Sequence, residues 1–295
     1  MMFSIIILTF CRDEALQENL LALASMIEAR DDAEVVLIDN NEDTIDRAAF
    51  LQPFSNAVYY KPGVNRGVSG GRNDGISKAS GKILVFLDDD AFISPANFLD
   101  EIGRLFEEEP SVGILAFRST NYYTRQIDRM EFPHTDKSRD PCIPFKTFRY
   151  IGVGHAMRRE VIDRIGLYED DFFYAGEEFD LAYRAIKAGY EIRYSPEIAV
   201  LHKKSPAGRL PAPRMVERTL LNKLRVGFMH LPEPYRVVNA LLWYGHAAWW
   251  SRGRANLFAV WCQYRDWTRR HPEKRQPISG TALDYFHSCG ANLWK

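Results

Sequence analysis

Apolar residues along this chain fall into short continuous runs separated by stretches of helical spacing. Phe3 to Thr9 is a run rich in β-branched residues, the pattern of a buried strand. Asp13 and Glu14 then suit a helix start, and Leu16, Leu20, Leu23, Ala24 and Ile27 recur on one face. Glu34 to Asp39, Ala57 to Tyr60, Lys82 to Leu87 and Ser111 to Phe117 predict four more strands. A short helix is expected over 43–50, ended ahead of Pro53. Another is expected from an N-cap at Ser94, with Pro95 in its first turn, to about Glu109. Strands alternating with helices imply an α/β fold with a mostly parallel central sheet covered on both faces.

From 118 to 150 the periodicity weakens and prolines accumulate, which reads as loops with an edge hairpin. Order returns with helices at 158–165, closed by Gly166, and 177–188, closed by Gly189. Glu191 to His202 is extended. Lys203 to Pro213, basic and with three prolines and a glycine, reads as a flexible loop, and helices follow at about 213–229, 235–250 and 253–270.

The formal net charge of −1 gives no global reason to expect nucleic acid, but it hides an asymmetry. Residues 1–202 carry 22 Lys and Arg against 34 Asp and Glu, whereas residues 203–275 carry 15 against 4. The basic segment suits an anionic surface. The four cysteines are scattered without a Cys-x-x-Cys pair, so neither a zinc site nor a disulfide framework is expected. The start lacks a basic segment ahead of its apolar run, and no stretch reaches the roughly 18 apolar residues of a membrane span. A reducing, cytoplasmic setting is expected.

Ligands of parallel α/β sheets bind beyond the carboxyl ends of the strands. Three strands end there in polar residues suited to a nucleotide: Thr9 with Arg12, Asp39 with Asn40 and Asn41, and Asp88-Asp89-Asp90. Asp39 suits a ribose or uracil-like edge, or simply a turn. The glycine-rich stretch Gly63 to Gly75 precedes a helix but lacks both the Gly-Lys-[Ser/Thr] of a P-loop and Gly-x-Gly-x-x-Gly. Its Arg66 and Arg72 face either phosphate or solvent. Three adjacent carboxylates repel one another unless a cation compensates, so Asp88 to Asp90 is either a divalent-metal site or an acidic turn ahead of a helix. Glu177 and Glu178 open a helix, where they act on a substrate or complement the helix dipole. Adjacent helix residues point about 100° apart, so only one of the two faces a given site.

Taken in order, Ile7-Leu-Thr-Phe-Cys-Arg12, Val36-Leu-Ile-Asp-Asn40, Asn65-Arg-Gly-Val-Ser-Gly-Gly-Arg-Asn73, Val85-Phe-Leu-Asp-Asp-Asp90 and Gly176-Glu-Glu-Phe-Asp-Leu-Ala-Tyr-Arg184 resemble the family 2 glycosyltransferases over about residues 3–205. The resemblance implies a GT-A fold in a catalytic domain over 1–205. Its nucleotide-binding half would be about 1–117 and its acceptor half about 118–205, with a C-terminal helical extension over 206–295. Asp88 and Asp90 match the family's Asp-x-Asp, with Asp88 near ribose and metal and Asp90 on the metal. His202 matches a further metal ligand of some members, and the cofactor implied is Mn2+ or Mg2+. Thr9, Arg12, Asp39, Asn41, Arg66, Gly67, Arg72 and Asp89 fall on the donor side. Glu178 falls where the family has its base, usually Asp, and the longer side chain leaves Glu177 as the alternative.

The implied reaction moves a sugar from a UDP- or dTDP-sugar to a hydroxyl of a saccharide, lipid-linked saccharide or small molecule. The metal offsets charge on the departing diphosphate, one carboxylate takes the acceptor proton, and a single displacement inverts the anomeric carbon. Two rivals are a nucleotidylyltransferase and a non-catalytic docking or scaffold protein on the same fold. The first usually has an N-terminal glycine-rich signature, and Phe3 to Arg12 contains no glycine. Intact Asp88, Asp90 and Glu178 argue against the second. Finally, Trp243, Trp249, Trp250, Trp261 and Trp267 lie beside Arg252, Arg254, Arg265, Arg269 and Arg270. That combination reads as a helix pair lying on an anionic membrane surface, or as packing on the catalytic domain or in a homo-oligomer.

Overall fold

Every second residue of Phe3–Thr9, the strand β1, faces a different layer, and both layers are apolar. Ile5 and Ile7 join one core with the helices α1 (Asp13–Ile27) and α3 (Phe98–Glu108). Ile6 joins the other with Ile76 of α2 (Gly67–Lys78) and Leu181 and Ala185 of α5 (Glu177–Lys187). A strand buried on both faces has no reason to alternate, hence the unbroken apolar run. The structure, a computed structural model, describes residues 1–294.

β1 pairs in parallel with β2 (Ala33–Asp39) and β4 (Ile83–Asp88), and β2 with β3 (Ala57–Tyr60). Beyond β4 the sheet changes direction. β8 (Gly154–Arg158) runs antiparallel between β4 and β6 (Val112–Asn121), and β6 runs parallel with β9 (Glu191–His202). β5 (Ala91–Ser94) and β7 (Phe145–Thr147) pair antiparallel with β9, completing a nine-stranded, mostly parallel α/β sheet. The carboxyl ends of β1, β2 and β4 therefore open on the same edge as the end of β9, where His202 stands opposite Ala91.

Four local expectations give way to tertiary contacts. Residues 43–50 form no α-helix, only a short 3-10 turn at Ala48–Leu51, because the Asp43 carboxylate accepts from the Ile45 amide and the Arg47 guanidinium. Ser94 is not an N-cap: it pairs with Ala199 in β5, and α3 starts only at Phe98. The glycine-rich stretch does not merely precede a helix, since Gly67 onward is α2 itself. There Gly71 and Gly75 let the helix lie against β1, where a Cβ would strike Leu8 and Ile6. Loop 203–211 is tied down, for the Lys203 and Ser205 amides donate to Asp90 and Arg12 donates to the Ala207 carbonyl.

α4 (Arg159–Ile165) ends at Gly166 as read, and the C-terminal helices are α6 (Ala212–His230), α7 (Tyr235–Ser251) and α8 (Leu257–Arg270). A further helix, α9 (Gly280–Ser288), buries Phe286 against Phe148 and Tyr183. Trp267 of α8 is also in this core, donating its indole N–H to Asp171 at 2.7 Å. The C-terminal helices thus share apolar interior with the sheet.

Candidate active site

The end of β4 positions three carboxylates in three different environments. The Asp88 side chain is about a third exposed and lines a cavity of about 310 Å³. Asp89 turns back toward β1, where it accepts from the Thr9 hydroxyl (2.9 Å), the Phe10 amide (3.3 Å) and the Arg12 guanidinium (2.8 Å). Burial pushes the Asp89 pKa up to about 6, with Arg12 pulling against it. Asp90 is fully buried and accepts from the Ser205 amide at 2.7 Å. Burial would favour its neutral form, but His202, Arg12 and that amide hold it below the usual carboxylate range.

Asp90 Oδ1 has no hydrogen bond, although His202 Nε2 lies 3.3 Å away and an Arg12 nitrogen 3.4 Å away. One donor atom each from Asp88, Asp90 and His202 fall within 4.8 Å of one another. Two carboxylates and an imidazole converging on an orphaned buried oxygen fit a divalent cation. The ring of His202 is set by Glu131, whose Oε1 is 2.9 Å from Nδ1, so Nε2 is the nitrogen left facing Asp90. Burial opposes charge on this ring, but Asp90 and Glu131 outweigh it and push the His202 pKa up to about 10. Glu131 also accepts from Ser119 and pairs with Lys204.

Around the cavity stand Phe10, Arg12, Asn40, Asn65, Gly67 and Arg209, together with Phe173 and Tyr174 from the loop ahead of α5. Asp39 lies just behind this wall, fully buried, accepting from the Asn41 amide and side chain, the Tyr59 hydroxyl and Arg47. Burial disfavours its charge, yet these donors hold its pKa below the ordinary value. Asn41 accepts from the Cys11 amide at 2.7 Å, tying β1 to β2. Asn40 donates to the Gly67 carbonyl, and its own Oδ1, buried, has no partner. Arg66 is half-exposed, 3.5 Å from Asp74.

Arg72 does not line the cavity. It is buried, donates to Glu177 (3.1 Å) and the Gly152 carbonyl (3.0 Å), and lies 3.8 Å from Asp88 and 3.9 Å from Glu178. Burial opposes its charge, but Tyr168 and the surrounding carboxylates hold its pKa above the ordinary arginine value. It is thus the cation that lets Glu177, Glu178 and Asp88 share one corner. Glu177 is buried with one oxygen on Arg72 and the other without a partner, whereas Glu178 is partly exposed. Gly152 faces Glu178: a Cβ there would come within 2.5 Å of Glu178 Oε1.

The structure therefore gathers Asp88, Asp89, His202, Arg12 and Gly67 around one cavity, with Asp90 buried beside His202 and Glu178 linked to Asp88 through Arg72. Thr9, Asp39, Asn41 and Arg72 support that wall rather than line it. Glu131, Tyr174 and Arg209 were not singled out from the sequence, and Glu131 and Arg209 lie in the two least patterned segments.

The family model described as "Glycosyl transferase family 2" matches residues 4–166. An uncharacterised protein of Haemophilus influenzae is 32% identical over 171 residues, 56% of this chain and 91% of that protein. The crystal structure of GalNAc-T7 with UDP, GalNAc and Mn2+ superimposes with a TM-score of 0.61 at 17% identity, covering 82% of this chain and 51% of that one. The mannosyltransferase PcManGT of Pyrobaculum calidifontis, in complex with GDP-Man and Mn2+, gives 0.56 at 16% identity, covering 98% and 85%. At such identities the likeness is one of fold.

Proposed function

The chain belongs to glycosyl transferase family 2 and is a glycosyltransferase, and from that premise we propose that it transfers a sugar with inversion from a UDP- or dTDP-sugar to a hydroxyl of a saccharide or lipid-linked acceptor. The observation that carries this reading is the convergence of Asp88, Asp90 and His202 within 4.8 Å beside the cavity. They would hold Mn2+ or Mg2+, which offsets charge on a departing diphosphate. GalNAc-T7 and PcManGT, each with a nucleotide or nucleotide sugar and Mn2+, support a donor and metal of this class. Arg12 and Arg209 meet the diphosphate, and Asn40, at the polar end of β2, suits a pyrimidine edge with Asp39 and Asn41 bracing it from behind.

Glu178 takes the acceptor proton. It is the more accessible of the two glutamates, and Gly152 lets its carboxylate and Arg72 lie close against the backbone. Residues 1–205 form the catalytic unit in this reading, and 206–295 hold it at an anionic membrane surface on the cytoplasmic side. Among the described residues no helix is long and apolar enough to cross a membrane.

The test is thermal stability with UDP, with and without Mn2+, in wild type and Asp90→Asn. A ligand that binds only the folded state at a hundred times its Kd adds about 2.7 kcal/mol. UDP should raise the melting temperature only with Mn2+, and Asp90→Asn should abolish that rise while folding normally. A UDP shift independent of Mn2+, or one that survives Asp90→Asn, defeats the metal assignment.

A further inference from the structure

One half-buried cation on the acceptor side makes no ion pair among the described residues. Lys223, on α6, projects its ammonium over the ring of Phe179, 3.1 Å from the centroid, with the Trp243 ring 4.9 Å away on the other side. Among the described residues it has neither a hydrogen-bond nor an ion-pair partner. Arg149 rests on the same Phe179 ring at 5.7 Å. Its NH2 group donates to the carbonyls of Phe132 and His134, but its Nε is buried and unpartnered, and no carboxylate pairs with it. Burial and Arg149 push the Lys223 pKa down to about 7, with the Glu178 carboxylate pulling against them.

Two cations with open N–H donors thus share an aromatic seat formed by the residue that follows Glu178. We propose that Lys223 and Arg149 form a subsite for a phosphate group on the acceptor. This proposal rests on the glycosyltransferase reading, which gives Glu178 the acceptor hydroxyl. A phosphate monoester carries close to two negative charges near neutral pH, matching two cations, and offers three acceptor oxygens. Arginine and lysine donors satisfy such a group by charge-assisted hydrogen bonds. Phe179 and Trp243 fix the lysine stem so that little freedom is lost on binding. Two sources share this chemistry: a soluble phosphorylated saccharide and a lipid phosphate.

The experiment titrates methyl phosphate, by calorimetry, into the protein loaded with Mn2+ and UDP, so that the donor phosphates are already in place. A parallel titration without UDP is run. Wild type should bind methyl phosphate equally in both. Lys223→Met should weaken it about 10- to 100-fold, the range of one lost hydrogen bond to a charged group, with UDP affinity unchanged. Lys223→Arg should restore binding and controls for folding. Methyl phosphate affinity unaltered in Lys223→Met, or binding abolished by UDP, overturns the subsite. Failure of UDP to bind at all defeats the glycosyltransferase reading instead, and the titration without UDP still reports on Lys223. Dodecyl phosphate distinguishes the sources: tighter binding than methyl phosphate assigns a lipid-linked acceptor, and equal binding a soluble one.

Discussion

Glu177 and Glu178 are neighbours in the chain with opposite surroundings. Glu177 is sealed in, half-paired with Arg72, and burial together with the Glu178 charge pushes its pKa up to about 8. A carboxyl in that state is proton-loaded near neutral pH and has no path to an acceptor. Glu178 is partly exposed, and Gly152 admits its carboxylate close to the backbone, where a Cβ would strike it. Glu178→Gln should therefore bind donor normally and slow transfer by about 10²–10⁴, the usual cost of a lost positioned base. Glu177→Gln should retain most activity, since an amide replaces a group already neutral. A large loss in Glu177→Gln with an active Glu178→Gln would exchange the roles. The raised pKa of Glu177 also sets a sign. Its favourable contribution is complete below about pH 4.3 and is lost as pH rises from there toward the raised folded value, so Glu177→Gln should flatten the fall in stability over that interval. Which of the two faces a substrate was not legible from sequence, because it depends on Arg72 and Gly152, distant in the chain. Asp88 and Asp90 were singled out because a strand end announces itself locally, whereas Glu131 comes to His202 from a loop with no pattern of its own.

At the scale of elements, α5 and α6 are clasped by one buried network. His230 Nε2 donates to Asp180 at 2.8 Å, and its Nδ1 lies 3.1 Å from the Lys187 ammonium. That arrangement suits a neutral ring: one nitrogen donates and the other accepts. Burial is the leading cause holding the His230 pKa below its ordinary value, despite Asp180. The unfolded chain therefore takes up this proton more readily, and the clasp's contribution is complete above about pH 6.5 and lost as pH falls below it. Urea midpoints should drop between pH 7.5 and 5.5 in wild type, and drop less in His230→Gln. Parallel losses in the two would mean the clasp does not titrate. Because the other histidines are common to both proteins, the difference isolates His230. The helices themselves were legible: their apolar faces repeat at helical spacing, and Gly166 and Gly189 mark two ends. The short helix expected over 43–50 failed because Asp43 and Arg47 bond each other and the turn backbone. β5 and α9 escaped notice because four strand residues and two turns and a half of helix carry too little periodicity.

Across the whole molecule, the basic surplus of 203–275 meets an apolar surface. α7 turns Val237, Leu241, Leu242 and Trp249 outward, and Phe258 and Trp261 of α8 are also exposed. Arg252, Arg254, Arg265, Arg269 and Arg270 are exposed beside them. Of the five tryptophans in this segment, Trp267 belongs to the interior, so the tryptophan count alone overstated the exposed surface. Trp249 remains 77% exposed, as does Phe258, a poor use of aromatic area in water. Indole and guanidinium side by side suit the headgroup layer, where the ring is buried and the charge stays wet. Each basic residue near an anionic leaflet contributes on the order of 1 kcal/mol, so five can hold a protein there without a span. The same face could instead bury itself against a second copy, and the two outcomes separate cleanly. The protein should co-sediment with vesicles containing phosphatidylserine but not with phosphatidylcholine alone, and salt should release it within the range where the Debye length shrinks below about 10 Å. Arg252→Gln with Arg254→Gln should weaken binding about tenfold or more, following two contributions of that size. A protein that ignores both vesicle types and sediments as a dimer, returning to monomer on Trp249→Ser with Phe258→Ser, would assign the face to self-association.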